Sequence, residues 1–239
     1  MTHSSDIRPD SGSLHASDSR GSYRQRLWAI AFSLLLLGGV CLPFDLPVAA
    51  WMKTHGLPRE VDRLLNFTEI FAHGTGITFL FVALLGLDRS LRSRPAWPHV
   101  FARMVAALLT TSLCTSALKS LVERVRPRAA DLGSLASVFG TFGTSALIDG
   151  RSGSDVMSFP SGHAAAAAAF AAALAWRYPH AATVCAVGAA LAAFQRVSSS
   201  AHYPSDIALG AAVGLLAASV WLGPPAVCAR SSPIEPTPK

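Results

Sequence analysis

The chain is short of charge: 14% of its 239 residues are Asp, Glu, Lys or Arg, against 51% hydrophobic residues. A soluble domain carries about 25% charged residues to keep its surface in water, so that class is excluded. Cysteine is scarce too. Cys41, Cys114, Cys185 and Cys228 stand singly in or beside apolar segments, with no CxxC pair. This rules out a disulfide framework and a cysteine metal site, and leaves four small apolar side chains. No block of like charge provides a footprint for nucleic acid, although the formal net charge is +6 and the pI near 9.6. A basic balance scattered among apolar segments suits a protein facing anionic lipid.

What is present is apolar sequence in stretches near the roughly 20 residues that cross a bilayer core, with a mean hydropathy of +0.40. Six spans are expected, over residues 27–44, 67–87, 97–118, 160–176, 181–197 and 205–222. The fold class is therefore all-α, a polytopic membrane helical bundle. One integral domain covers residues 23–225. Residues 1–22 have almost no large apolar groups and are expected to form a disordered cytoplasmic tail, and the Pro-rich segment 226–239 a flexible C-terminal tail. The stretch LWAIAFSLLLLGGVC followed by Val48-Ala49-Ala50 loosely fits a cleaved leader. The long polar stretch before it, with Pro43 and Asp45 intervening, favours a retained span instead.

Basic residues in short loops set the orientation. Arg20, Arg24 and Arg26 precede the first span, and Arg89, Arg92 and Arg94 join the second to the third. These segments are then cytoplasmic. The opposite segments also hold Lys119, Arg124, Arg126, Arg128, Arg151 and Arg196, which an anionic substrate on that side explains.

Three polar clusters fall on that opposite face. In KSLVERVRPR, Lys119 and Arg126 lie two helical turns apart, and Pro127 is expected to stop the third span at Arg126. A cation at the bilayer centre costs about 2.5–3.5 kcal/mol, so the pair belongs at the interface or on a polar cavity. Snorkelling accounts for this cluster equally well on its own, with Glu123 as a salt-bridge partner of Lys119. In SFPSGHAAAAAAF, Ser158 or Ser161 caps a helix that Pro160 opens, and Gly162 admits a ligand close to the backbone. That helix end aims free N–H groups outward at an anion, with His163 beside it. In QRVSSSAHYPSD, Arg196 ends the fifth span, and Asp206 reaches back to His202 four residues earlier. A His–Asp pair fixes a tautomer and makes the other ring nitrogen a better base or nucleophile. Together the clusters supply three cations, two histidines and a carboxylate at one face.

These residues resemble the three-part signature of the type 2 phosphatidic acid phosphatase superfamily, K-x6-RP, PSGH and SR-x5-H-x3-D. The parts are Lys119 with Arg126-Pro127, Pro160 to His163, and Arg196 with His202 and Asp206. Gln195 stands where the family has serine. The resemblance implies a metal-independent, cofactor-free phosphatase acting on a lipid phosphate or pyrophosphate held in the bilayer. It implies that His202 attacks phosphorus, Asp206 orients it and His163 protonates the leaving oxygen. Lys119, Arg126, Arg196, Ser161 and the Gly162 N–H would bind the phosphoryl oxygens. With the orientation above, the site is expected on the periplasmic or outer face of a bacterial inner membrane. Phosphatidate, phosphatidylglycerol phosphate, undecaprenyl pyrophosphate and lipid A phosphates all fit. A phosphotransferase passing the phosphate to a second lipid is the alternative, and a non-catalytic anion-binding or transport protein a weaker one. A metal site is disfavoured because no third ligand stands near the His/Asp pair and the cations would repel a divalent ion.

Three further segments carry expectations. Residues 128–157 are long and Gly/Ser/Thr-rich, and are expected to border the lipid entrance with a helical middle near 135–142. Residues 46–65 mix apolar and basic side chains as an interfacial helix does. Glu69 and His73, one turn apart near the second span, are expected in packing or water contact as readily as at a site.

Overall fold

Backbone N–H and C=O groups find no water in a bilayer core, so spanning segments must close their own hydrogen bonds as helices or barrels. The computed structural model describes residues 11–89, 93, 97–143 and 153–223, and its regular elements there are helical. They include α1 (Ser11–Cys41), α2 (Asp45–Thr54), α3 (Arg59–Phe67), α4 (Gly74–Leu87), α5 (Trp97–Leu121), α6 (Gly162–Arg177), α7 (Ala182–Ser198) and α8 (Pro204–Trp221).

Each of the six expected spans contains a helix, but not all have the length to cross. Four stretches are long and apolar enough: Tyr23–Thr54, Trp97–Leu121, Pro179–Ser198 and Pro204–Trp221. A fifth arises if Arg59–Phe71 and Gly74–Leu84, which meet at 65°, count as one broken span. The remaining segment, α6, has 16 residues and is about 24 Å long, against a core of about 30 Å. It can be short because α5, α7 and α8 enclose it. Its methyl-sized side chains Ala165, Ala167, Ala169 and Ala173 are wholly buried.

Other boundaries also differ. α1 begins at Ser11, inside the segment expected to be a tail. Residues 1–10, Arg92, Arg94, residues 144–152, Cys228 and the tail 226–239 lie outside the described residues. The interfacial segment 46–65 forms two helices, α2 and α3. The helix expected to reach Arg126 stops at Leu121, because residues 124–126 turn extended and bond to other loops. Arg124 N–H donates to Val156 O at 2.8 Å, Val125 N–H to Thr141 O at 2.9 Å and Arg126 N–H to Asp155 O at 2.8 Å. The helical middle of 128–157 shrinks to one 3-10 turn, Val138–Thr141. Of the free thiols, Cys185 is buried as expected, whereas Cys114 is exposed.

The core places Leu27 of α1, Phe81 of α4, Met104 of α5, Phe170 and Trp176 of α6 and Leu215 of α8 in one cluster. α8 runs against α1, α5 and α6. Its contact with α6 depends on Gly210 and Gly214, four residues apart on one face. A Cβ at Gly214 would lie 2.9 Å from Ala165 Cα and C, and one at Gly210 3.1 Å from Ser161 N and C. Such small-residue faces let membrane helices approach backbone to backbone. Gly214→Leu should therefore force α6 and α8 apart and destabilise the fold by about 1–3 kcal/mol or more. Thermal unfolding in detergent checks this, and an unchanged midpoint would refute the close-packing account.

Candidate active site

The polar residues gather at one end of the bundle, where α1, α5 and α7 end and α6 and α8 begin. Ser161 caps α6: its Oγ accepts the Ala164 N–H at 3.3 Å, and its own N–H donates to Asp206 O at 3.0 Å. That backbone bond joins the tip of α6 to the first turn of α8. The Gly162 position lies over the Lys119 stem, with Cε 3.7 Å from where a Cβ would stand. Ser161, Gly162 and His163 therefore form a small surface at a helix N-terminus, where anions are favoured.

Lys119 and Arg126 converge despite the early end of α5. Lys119 Nζ donates to Met157 O at 2.9 Å, and Arg126 Nη2 reaches the same oxygen at 3.5 Å. Arg126 Nε also donates to Ser154 O at 2.8 Å. The shared carbonyl replaces the expected helical spacing as the reason both cations point one way. Arg196 sits opposite, its Nε donating to Gln195 Oε1 at 2.6 Å and its Nη2 to Glu69 Oε1 at 3.1 Å. The residue that departs from the family pattern thus has a structural task. Gln195 holds Arg196 with its oxygen while its Nε2 donates to Asn66 Oδ1 at 2.7 Å, a span serine is too short to bridge.

His202 lies in the turn before α8, its N–H bonded to Arg196 O at 3.1 Å. It is 2% exposed. Its Nδ1 lies 3.7 Å from Asp206 Oδ2 and 3.5 Å from Ser158 Oγ, which leaves Nε2 as the free ring nitrogen. Burial holds the His202 pKa below its ordinary value, with Arg126 and Lys119 adding to the effect and Asp206 opposing it. The ring is therefore neutral near pH 7, the form able to act as a nucleophile.

Asp206 is fully buried. Its Oδ2 accepts from Ser158 Oγ at 2.6 Å and from Tyr203 N–H at 3.0 Å, and its Oδ1 pairs with Arg124. The sequence places Arg124 only among the basic residues of that face, with no role of its own. Its guanidinium is fully buried, donating through Nη2 to Asp45 Oδ2 at 2.7 Å, through Nη1 to Ser205 Oγ at 2.8 Å and through Nε to Thr141 Oγ1 at 3.1 Å. It lies between the rings of Tyr203 and Phe142, 4.1 and 4.4 Å from their centroids. Its one sequence signal is position, inside KSLVERVRPR next to the expected cations. Asp45, also fully buried, accepts the Ser205 N–H at 3.0 Å and the Ser205 hydroxyl.

Glu69 and His73 do join the site. Glu69 Oε1 lies 3.7 Å from His163 Nε2 as well as bonding Arg196, and the His73 and His163 rings are 6.0 Å apart. Among the described residues, no group of three or more His, Cys, Asp or Glu side chains is placed to hold a metal ion.

A cavity of about 590 Å³ leads away from this end between α4, α5 and α6, walled by Ile77, Phe81, Phe101 and Leu108 and ending at Lys119, Gly162 and His163. Val82 and Leu109 on its rim are 63% and 60% exposed, so it opens on the outer surface of the bundle. No described residue of 128–157 lines it. The expected entrance loop instead packs against Arg124 through Thr141 and Phe142.

Comparison with known proteins adds three findings. The model of the PAP2 superfamily matches residues 100–224, more than half of the chain. The crystal structure of the first transmembrane PAP2 type phosphatidylglycerolphosphate phosphatase from Bacillus subtilis is similar over 79% of this chain and 90% of that one. The TM-score is 0.53 and the identity 20%, a likeness of fold. No curated protein matches the chain significantly. Lys119 to Asp206 fall inside the matched region, whereas Asp45 and Glu69 fall outside it.

Removing the Arg124 guanidinium leaves two buried carboxylates facing each other, a change that costs about 3–5 kcal/mol. Arg124→Ala should lower stability by that amount in denaturant titrations of the detergent-solubilised protein. Near-native stability would mean the pairing is dispensable.

Proposed function

The chain belongs to the PAP2 superfamily, and from that premise we propose that this integral membrane phosphatase hydrolyses the phosphate monoester or pyrophosphate of a membrane lipid through a phosphohistidine on His202. The observation that carries the reading is the junction of the two halves of the site. An apolar cavity open to the side ends at Lys119, Gly162 and His163, so a lipid tail lying between α4 and α5 brings its phosphate to the tip of α6.

In the first step His202 Nε2 attacks phosphorus, the bond from phosphorus to the lipid oxygen breaks, and His163 gives its proton to that oxygen. Water then attacks the phosphohistidine, its proton passes to His163, and orthophosphate leaves with both histidines restored. Negative charge grows on the phosphoryl oxygens throughout. Lys119, Arg126 and Arg196, with the Ser161 hydroxyl and the Gly162 N–H, supply fixed positive partners for it, a stabilisation that does the work a metal ion does elsewhere. The Nδ1 proton of His202 faces Asp206, which favours the tautomer whose Nε2 lone pair is free. The basic loops favour a periplasmic or outer face of a bacterial inner membrane for this end.

Phosphate release by the purified protein, with EDTA present, across phosphatidate, phosphatidylglycerol phosphate, undecaprenyl pyrophosphate and lipid A tests the reading. Release from one class is expected to persist in EDTA and to fall at least a thousandfold in His202→Ala. Substantial release by His202→Ala would remove the nucleophile, loss in EDTA would remove metal independence, and no release from any class would point to phosphotransfer, tested next with a second lipid as acceptor.

A further inference from the structure

The mechanism above uses Asp206 but not the groups behind it. Two carboxylates, Asp45 and Asp206, share the single guanidinium of Arg124, and all three side chains are fully buried. Asp45 comes from the start of α2, shortly after the end of α1, and lies outside the region that matches the family model. It binds the first turn of α8 twice, through the N–H and the hydroxyl of Ser205, the residue next to Asp206.

Charge counting shows what this second carboxylate does. An Arg124–Asp206 pair alone would be neutral, and the guanidinium would draw Asp206 away from the imidazole it must orient. With Asp45 on the other side of Arg124, the trio carries one net negative charge in a low-dielectric interior, where such charges act strongly on neighbours. The charges acting on His202 include the cations Lys119 and Arg126, and the one that opposes them is Asp206, the carboxylate this trio holds. We propose that Asp45 is a positioning residue: through Arg124 it fixes the Asp206 carboxylate and keeps it available to the His202 ring.

The inference rests on His202 as the nucleophile, so its test includes a readout that needs no substrate. In the full chain labelled with 15N-histidine in detergent, the His202 signal, assigned by its loss in His202→Ala, should show a ring protonated on Nδ1. Asp45→Asn should move it toward a tautomer mixture, and Ser205→Ala, which keeps both carboxylates, should leave it in place. On the lipid that the wild type hydrolyses, Asp45→Asn should lower kcat about tenfold with KM within twofold, and should add nothing to the loss in Asp206→Asn. An unmoved signal in Asp45→Asn, an equal shift in Ser205→Ala, or additive losses in the double variant would overturn the proposal. Arg124→Lys, which keeps the charge but cannot bridge both carboxylates, moves the same signal and serves if Asp45→Asn does not fold. Absence of hydrolysis by the wild type would count against the function alone, with the 15N signal still deciding the role of Asp45.

Discussion

A guanidinium buried without water is tolerable only when every face is answered, since the effective penalty is several kcal/mol per ion. Arg124 meets that demand with six partners from three segments: Asp45 after α1, Thr141 and the ring of Phe142 in the long loop, and the ring of Tyr203 with Ser205 and Asp206 at the start of α8. Satisfying one charge therefore fixes the relative positions of segments distant in sequence. The helix end that carries Ser161 is then tied to Asp206 by a backbone bond, so the tip of α6 inherits the same frame.

The chemistry was legible because it sits in short-range spacing. His202 and Asp206 are four residues apart and meet in space, and Pro204 opens α8 as its ring geometry requires. Ser161 likewise caps α6. The supporting network was not legible. Asp45 and Ser205 are separated by 160 residues, and no periodicity links them. Arg124 stood in plain view within the first cluster, but its neighbours Lys119 and Arg126 matched a helical spacing that α5 does not extend to. Pro127 was a sound stop signal, yet hydrogen bonds to Thr141, Asp155 and Val156 ended the helix first. Glu69 reaches the site only because the chain breaks between α3 and α4, a bend composition does not announce.

The span count shows the same limit. Hydropathy detects apolar runs, but a run enclosed by protein need not have the length that contact with lipid demands. α6 is such a case, and α3 with α4 is another, since their bend places Glu69 and His73 beside Arg196 and His163 rather than continuing straight.

The alanine helix has a consequence for how this protein can diverge. Its buried alanines end at Cβ, so those positions offer no rotamers with which to absorb a change in their neighbours. The side of the cavity that α6 forms is thereby closed to gradual remodelling. The opposite wall, with Ile77 and Phe81 on α4 and Phe101 and Leu108 on α5, is built from long side chains with rotamers of their own. New lipid preferences would accumulate on that wall while the reaction stays the same, so the short helix separates what evolution can vary from what it must keep.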